Sequence, residues 1–329
     1  NYFQALEQYV DGHADIEVEI DLLVSKSGFE YAAILHSPMT TLTSKMPPPF
    51  FLDEKISKPL WLNITGNKTA SIIDLTLGAE VAFSGVLPHA EAKFSRAHLA
   101  IAEDPSINLG GGFSVSVDID ELNLRDWYQT LSTLRNDVHQ TGRDILGTPQ
   151  RVFINTKKML IDDNAIDNVH FIAKQRHDNW SLDLSAKQLK TQIFIPNDYL
   201  NRGIEIDTDF LRMDNFSRLK THGSQWQMQN IPPFRFSCAQ CQLGRFDLGE
   251  VNVEASKNPL GLVLERIEME NANGKLIADG LWQFNRSTVN TAISGTLMSS
   301  DFGLLLKQMG LNSGIKDSRA NFEFVLNWP

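Results

Sequence analysis

The amino-acid sequence predicts a mainly β protein built from a long, twisted, mostly antiparallel sheet. Three observations support this: apolar and polar residues alternate over many short stretches, turn-forming residues separate these stretches, and only two segments have helical spacing. Parallel α/β folds need a crossover helix between most neighbouring strands, and two helices cannot supply them. One-sided alternation gives such a sheet one apolar face and one polar face.

The strands are predicted where single apolar residues alternate with acidic or hydroxyl side chains, as in the run from Glu17 to Leu22. Turns rich in Gly, Asn, Asp and Pro follow these runs. The apolar positions of the clearest runs are predicted to share one face of the sheet. They are Ile16, Val18, Ile20, Phe113, Val115, Val117, Leu182, Leu184, Ile204, Ile206, Val251, Val253, Phe322 and Phe324.

Two short amphipathic helices are predicted near residues 124–138 and 301–309. Apolar residues of the first recur at helical spacing, after Asn123 as a predicted N-cap. They are Leu124, Trp127, Tyr128, Leu131, Leu134 and Val138. For the second helix, Ser300 is the predicted cap, Asp301 favours the first turn, and Gly310 follows the last turn.

Composition limits the classes of function. The chain has 329 residues, 42% of them hydrophobic and 21% charged, which is typical of a folded protein. A net charge of −10 argues against a nucleic-acid partner, because such proteins carry a basic face. No apolar run is long enough for a membrane helix, and no signal peptide is visible. We interpret the chain as a fragment of a longer protein.

The domain prediction is a β-rich segment over residues 1–148 that ends in the first helix, followed by a β-rich segment over residues 149–329. The two segments are predicted to form one continuous, elongated fold.

The two cysteines, Cys238 and Cys241, leave three interpretations open. A structural zinc site needs four ligands, and the chain has no second cysteine pair. A redox pair of the thioredoxin type needs a helix start, whereas strand-like sequence lies on both sides. We favour the third interpretation, in which the cysteines form a short-loop disulfide or two packed thiols at a strand turn.

Sequence motifs for catalysis are not found. The chain has no phosphate-binding glycine motif and no nucleophile elbow. Acidic pairs such as Asp118 with Asp120, or Asp162 with Asp163, are most simply solvated strand faces or loops. We therefore expect no catalytic residue, no metal site, no cofactor and no bound nucleotide, although a carbohydrate-active enzyme with two facing carboxylates stays an alternative.

Several motifs occur in an order that resembles the AsmA-like family, in particular its YhdP type, which is related to TamB-like envelope lipid-transport proteins. The resemblance covers most of the chain and is clearest in the central to C-terminal part. The motifs are Gly28-Phe29-Glu30-Tyr31, the Pro-rich turn Met46–Phe50, Glu121–Trp127, Phe236–Gly244, Gly280-Leu281-Trp282, Asp301–Gly310 and the closing strand that ends at Trp328.

The resemblance implies a sheet curled into a taco-like hydrophobic groove, lined by the fourteen apolar residues named above. It implies non-enzymatic transport of phospholipid across the periplasm and a role in outer-membrane lipid homeostasis and biogenesis. Acyl chains would be the ligand, and parts outside this chain would contact the inner and outer membranes. The chain would be a periplasmic portion of an inner-membrane-anchored protein. From the residues alone, a closed β-sandwich module of the envelope without lipid cargo is the favoured alternative.

Overall fold

The structure is a computed structural model, which describes residues 6–53, 56–103, 105–107, 109–141, 145–161, 164–213, 231–244, 246–259, 261–284, 289–308 and 314–328. Its helices are α1 (Leu124–Thr141), α2 (Tyr199–Arg202) and α3 (Phe302–Gln308). Its strands are β1 (Val10–Gly12), β2 (Glu17–Ser25), β3 (Gly28–Ser37), β4 (Leu42–Ser44), β5 (Leu60–Asn67), β6 (Ala70–Leu77), β7 (Val81–Pro88), β8 (Arg96–Ala102), β9 (Gly112–Asn123), β10 (Arg151–Ile161), β11 (Asn164–Arg176), β12 (Asn179–Ser185), β13 (Leu189–Pro196), β14 (Ile204–Met213), β15 (Phe234–Leu243), β16 (Phe246–Asn258), β17 (Gly261–Asn271), β18 (Gly274–Phe284), β19 (Val289–Ser299) and β20 (Ala320–Trp328).

The described pairings join β2, β3 and β5 to β10 in one run of neighbouring strands and β12 to β20 in another, and β1 pairs with β4 in a separate small sheet. The predicted mainly β fold is confirmed. Most described pairings are antiparallel, but β8–β9, β9–β10 and β14–β15 are parallel, so the sheet is mixed. Parallel neighbours need a connection that runs back along the sheet. Helix α1 lies within the connection from β9 to β10, which explains why a helix interrupts the strand pattern there.

The chain divides into two compact units, residues 1–173 and 174–329. In the first unit the strand order is β2–β3–β5–β6–β7–β8–β9–β10. In the second unit, β12 to β20 pair in simple sequence order. The boundary predicted at residue 148 stays a prediction.

Both predicted helices are present, with differences at their caps. The side chain of Asn123 accepts hydrogen bonds from the backbone N–H groups of Arg125 and Asp126, at 3.1 and 3.3 Å, so it is the N-cap of α1 as predicted. For α3 the predicted cap Ser300 is wrong, because the Asp301 carboxylate accepts the hydrogen bond from the backbone N–H of Leu304 at 3.0 Å. The one-turn helix α2 was not predicted, since its sequence signals a turn.

The predicted apolar stripe of α1 is only partly packed. The Trp127 ring lies 5.9 Å from the Phe50 ring in an edge-on contact. Leu124, Tyr128 and Leu131 are exposed, with Tyr128 at 72%. The side chain of Val138 is not among the described side chains. The predicted end of the second helix, Met309 and Gly310, lies outside the described residues. The Phe302 ring of helix α3 contacts the Phe322 ring of β20 in a tilted arrangement, with ring centres 4.8 Å apart.

Candidate functional site

An apolar row crosses the first unit from strand to strand. Residues directly opposite each other in neighbouring strands lie on the same face of a sheet. By this register, eight consecutive strands each contribute one apolar residue to a single line, which we call the first-unit row. It consists of Val18, Leu35, Leu62, Leu75, Phe83, Leu99, Val115 and Val152.

Neighbouring lines on the same face are also mainly apolar. One contains Ile20, Ala33, Ile64, Ile73, Gly85, Ala97 and Phe113, and the other contains Leu60, Leu77, Val81, Ile101, Val117 and Ile154. Together the three lines form one continuous apolar surface. Because side chains of one strand face alternate sides, this surface uses every second residue of each strand.

The first-unit row is not a buried core. Seven of its members are half-buried, and Val18 is 57% exposed. In a closed sandwich, the inward side chains of two facing sheets bury one another almost completely. The row therefore lacks a full cover in the described part of the chain. The neighbouring lines of the same face do contain buried members, such as Val81, Ala97 and Ile101.

Aromatic rings cover two glycines on the same face. The ring of Phe94, from the segment between β7 and β8, lies over Gly85 and edge-on to Phe83, with ring centres 5.5 Å apart. A Cβ at Gly85 would lie 2.5 Å from the Phe94 ring, so only glycine fits. In the same way the Tyr31 ring lies over Gly66. In β2 and β3 the apolar face continues past Tyr31 to Val24 and Phe29, which are both exposed.

The second unit contains a matching arrangement. Nine consecutive strands, β12 to β20, contribute one residue each to the second-unit row. It consists of Leu182, Ile193, Ile206, Phe236, Val253, Ile267, Ala278, Gly295 and Phe324. The adjacent line on the same face consists of Leu184, Thr191, Thr208, Cys238, Val251, Met269, Leu276, Leu297 and Phe322.

The second-unit row is also incompletely covered, because Ala278 is its one buried member and the others are half-buried. Val18 of the first-unit row is 57% exposed, Ile20 of its neighbouring line 70%, and Phe322 of the line beside the second-unit row 43%. A folded chain normally leaves single apolar residues exposed, but continuous apolar surface marks a site of interaction. The two rows are therefore the candidate functional site.

A disulfide between Cys238 and Cys241 stiffens this face of the second unit. Residues three apart in a regular strand point to opposite faces, and the register of β15 against β16 shifts between the two cysteines. The bulge brings both side chains to one side, where they are buried with Val251 and packed against Phe236 and Met269. The disulfide holds the bulge in place at the centre of the apolar face.

The opposite face of the second unit is charged. Glu205, Arg235, Glu254 and Arg266 are partners in neighbouring strands, with Arg235 3.6 Å from Glu205 and 3.4 Å from Glu254. These exposed ion pairs add little stability each, but they keep this face hydrated. The sheet of this unit is thus amphipathic, with one apolar and one charged side.

Every predicted apolar site residue within a strand falls on the apolar face of its unit. Ile16 lies just before β2, which begins at Glu17. Sequence reasoning missed six residues that complete the first-unit row, Leu35, Leu62, Leu75, Phe83, Leu99 and Val152. Their strands carry apolar residues on both faces, as in Leu60-Trp61-Leu62 and Val81-Ala82-Phe83, so the alternation that marks a face was hidden.

The two rows present an apolar contact surface. Within the described ranges no three His, Cys, Asp or Glu residues form a group that could hold a metal ion. The acidic pair Asp162 and Asp163 lies outside the described residues. The exposed Asp118 and Asp120 lie on β9, and Asp120 pairs with Lys157 at 2.7 Å.

One buried histidine lies on the opposite face of the first unit. His98 Nδ1 is 2.7 Å from the Ser114 hydroxyl, and its Nε2 is 3.0 Å from the Ser116 hydroxyl. Burial lowers the pKa of His98, and the nearby positive charge of Arg151 lowers this pKa further. The imidazole is therefore neutral at neutral pH and has a structural role in joining β8 to β9.

The comparison with known protein families assigns the chain to a class of envelope proteins, the AsmA-like proteins. A family model described as "YhdP protein" matches residues 1–329, which is the whole chain. The chain therefore belongs to the YhdP family of AsmA-like envelope proteins. No curated protein and no solved structure matched it. Among the described residues, none of the helices has the length and apolar character needed to cross a membrane.

Proposed function

We propose that this chain forms part of a non-enzymatic conduit for phospholipid between the inner and outer membranes, with its apolar face as a groove for acyl chains. The observation that carries the proposal is the pair of apolar rows, each continuous over eight or nine strands and each incompletely covered. A row perpendicular to the strands gives a path from strand to strand rather than a single pocket.

The dimensions of the first-unit row suit this ligand. Seven steps of about 4.8 Å between its eight strands give a length of about 34 Å. An acyl chain fills half of a hydrocarbon core of about 30 Å, so it is roughly 15 Å long. One acyl chain laid along the row would then cover about three strand spacings, and the row has room for successive lipids.

The energetics also favour an extended apolar surface. Holding a free acyl chain of about sixteen carbons in water costs on the order of 10 kcal/mol, at roughly 0.8 kcal/mol per CH₂ group. Contact with a continuous apolar wall offsets this cost at every position along the path. No acid, base or metal takes part, since no bond is made or broken.

We propose that the chain is a periplasmic portion of an inner-membrane-anchored protein. The family is an envelope family, and the Cys238–Cys241 disulfide suits an oxidising compartment. The anchor and the contacts with both membranes would be made by parts outside this chain.

The alternative function is a structural or interaction module of the envelope without lipid cargo. It is favoured by the exposed edge strand β2, all nine residues of which are exposed, because free edges take up partner strands. This alternative predicts a protein that carries no lipid and refuses added lipid.

Solvent extraction of the purified protein, followed by mass spectrometry, tests the proposal. A β-sandwich protein purified in the same way serves as the control. We expect phospholipid in stoichiometric amounts from this chain and none from the control. A lipid-free protein that also fails to take up a fluorescent phospholipid would refute the conduit and favour the interaction module.

A further inference from the structure

Five neighbouring strands of the first unit, β2, β3, β5, β6 and β7, contain neither lysine nor arginine. Apart from His36, their ionisable acidic and basic side chains are the carboxylates of Glu17, Glu19, Asp21, Glu30 and Asp74. By register, all of these carboxylates lie on the face opposite the first-unit row. The corresponding face of the second unit differs, because its carboxylates alternate with Arg235 and Arg266.

Exposed apolar side chains lie among these carboxylates. Ile34 is 41% exposed, Trp61 49% and Ile72 45%. The Trp61 ring stacks on the His36 ring, with ring centres 4.0 Å apart, and Ile34 and Asp74 are diagonal neighbours of Trp61 in the adjacent strands. We call this surface the acidic patch. It consists of Glu17, Glu19, Asp21, Ile34, Trp61, Ile72 and Asp74.

The same face is covered further along the sheet. In β7, β8 and β9 its side chains are buried, namely Ala82, Ser84, His98, Ala100 and Ser114. The acidic patch, in β2 to β6, has no such cover from the described part of the chain, because its carboxylates and its three large apolar side chains are exposed. A contiguous exposed surface with apolar members marks a site of interaction.

The charge of the acidic patch is not neutralised within the described residues. Glu17 has His36 as its neighbour, with His36 Nδ1 4.0 Å from the carboxylate, and Glu19, Asp21 and Asp74 have no ion pair there. Lysines and arginines occur around the patch without pairing with it: Lys58, which pairs with Glu80, Lys45 before β5, Lys26 and Lys68 in the turns after β2 and β5, and Arg96, two strands beyond Ile72.

We infer that the acidic patch binds a basic amphipathic helix of a separate protein. The apolar stripe of such a helix would pack on Ile34, Trp61 and Ile72. Lysine or arginine residues on the borders of the stripe would reach the carboxylates of β2 on one side and Asp74 of β6 on the other. The face of an indole ring also attracts cations. The inference goes beyond the proposed function, because it uses the face of the sheet that does not carry lipid.

The dimensions of the acidic patch suit a helix. From β2 to β6 there are three strand spacings of about 4.8 Å, which give a width of about 14 Å. From Glu17 to Asp21 the patch is about 13 Å long, at roughly 3.3 Å per residue. A helix with side chains is about 10–12 Å across, and two of its turns are about 11 Å long. A second copy of this chain fits less well, because two chains with a net charge of −10 repel each other.

The probe is a fluorescein-labelled helical peptide of about 14 residues, since shorter isolated helices are unstable in water. Its leucines form one stripe, and arginines border the stripe on both sides. A second peptide has glutamine in place of every arginine and keeps the leucine stripe. Binding of both peptides to the whole chain is measured by fluorescence anisotropy.

The patch variant combines Glu17→Gln, Glu19→Gln and Asp74→Asn. The control variant removes the same charge from exposed carboxylates outside the patch, by Glu91→Gln, Glu103→Gln and Glu323→Gln. A third variant, Trp61→Ala, leaves the net charge unchanged. Circular dichroism melts establish that all variants are folded, and uptake of a fluorescent phospholipid is measured for each.

We expect the wild-type chain and the control variant to bind the arginine peptide equally, and the patch variant to bind it on the order of tenfold more weakly. The Trp61→Ala variant should lose affinity by a similar factor although its charge is unchanged. The glutamine peptide should bind more weakly than the arginine peptide, and added salt should reduce this difference. Phospholipid uptake should be the same in all variants, because the patch lies on the other face.

Four results would overturn the inference. The first is that the wild-type chain does not bind the arginine peptide. The second is that the patch and control variants lose equal affinity, which would indicate general attraction to an acidic protein. The third is equal binding of the two peptides. The fourth is self-association of the wild-type chain that the patch variant loses, seen by analytical ultracentrifugation, which would assign the patch to a second copy. Loss of phospholipid uptake by the wild-type chain bears on the conduit alone.

Discussion

Replacing Leu75 by Asp places a carboxylate at the centre of the first-unit row. Leu75 is opposite Leu62 and Phe83 and is half-buried. If the row carries acyl chains, this carboxylate lies under the lipid. The neighbouring residue Thr76 is exposed and lies on the other face, so Thr76→Asp is the matched control with the same charge change.

The expected loss of lipid affinity has an upper bound. A carboxylate covered by an acyl chain either stays ionised in an apolar environment, which costs several kcal/mol, or takes up a proton. Proton uptake at pH 7.5 by a group with a pKa of about 3.9 costs about 5 kcal/mol. We therefore expect a loss of roughly 3–5 kcal/mol, which is at least a hundredfold in affinity.

The effect of Leu75→Asp on folding should be much smaller. Full burial of a leucine contributes about 1.5–3 kcal/mol, so a half-buried one contributes roughly 1 kcal/mol. In the lipid-free protein the new carboxylate reaches water and needs no proton. The free energy of unfolding should therefore fall by about 1 kcal/mol, against a several-fold larger effect on lipid binding.

The assay measures uptake of a fluorescent phospholipid by equilibrium titration, together with urea unfolding of the lipid-free protein. Binding by the Leu75→Asp variant should recover about tenfold for each pH unit from 7.5 to 5.5, because the cost of protonation falls by 1.36 kcal/mol per unit. Binding by Thr76→Asp should match the wild-type chain. Global unfolding of Leu75→Asp would show that the row is a closed core, and unchanged lipid binding would show that lipid does not lie there.

Three further predictions concern stability. Replacing Cys238 and Cys241 by Ser should lower the free energy of unfolding by about 2 kcal/mol, since a four-residue loop is no longer closed; equal urea midpoints for both proteins would contradict this. Burial lowers the pKa of His98 in the folded state. The stability that neutral His98 contributes to the fold is therefore complete above its unfolded-state pKa of about 6.5, and it is lost as pH falls through the folded-state pKa. Thermal melts should therefore show a fall in stability between pH 7 and 5 that is weaker in His98→Gln, and parallel pH profiles would argue against it. Gly295→Ala should cost roughly 1–3 kcal/mol because its Cβ would lie 2.5 Å from a carbonyl oxygen of β18, whereas a Cβ in Gly111→Ala meets nothing within 4 Å; similar melting temperatures for the two variants would refute this.

The apolar positions of β2, β9 and β14 were predictable because those strands alternate cleanly between apolar and polar residues. Period-2 alternation reports directly which side chains share a face. The N-cap at Asn123 was predictable for a similar reason, because capping is a local interaction of one side chain with the next turn.

The parallel pairs β8–β9 and β14–β15 were not predictable, because strand order depends on the path of the connections and not on the composition of either strand. The disulfide was one of several open interpretations because it depends on the pairing of β15 with β16, which the sequence does not show. Residues three apart meet on one face because a bulge inserts an extra residue into β15, and the register against β16 decides where that bulge falls.

By itself, the sequence determined that this protein is mainly β, that its strands are amphipathic, and that helices begin near Leu124 and Phe302. These properties depend on contacts between residues close in the chain. The tertiary structure alone decided that Val18 and Val152 belong to one continuous row that crosses eight strands. The row depends on the register of strands distant in sequence, which hydrogen bonding between the strands fixes only when the sheet assembles.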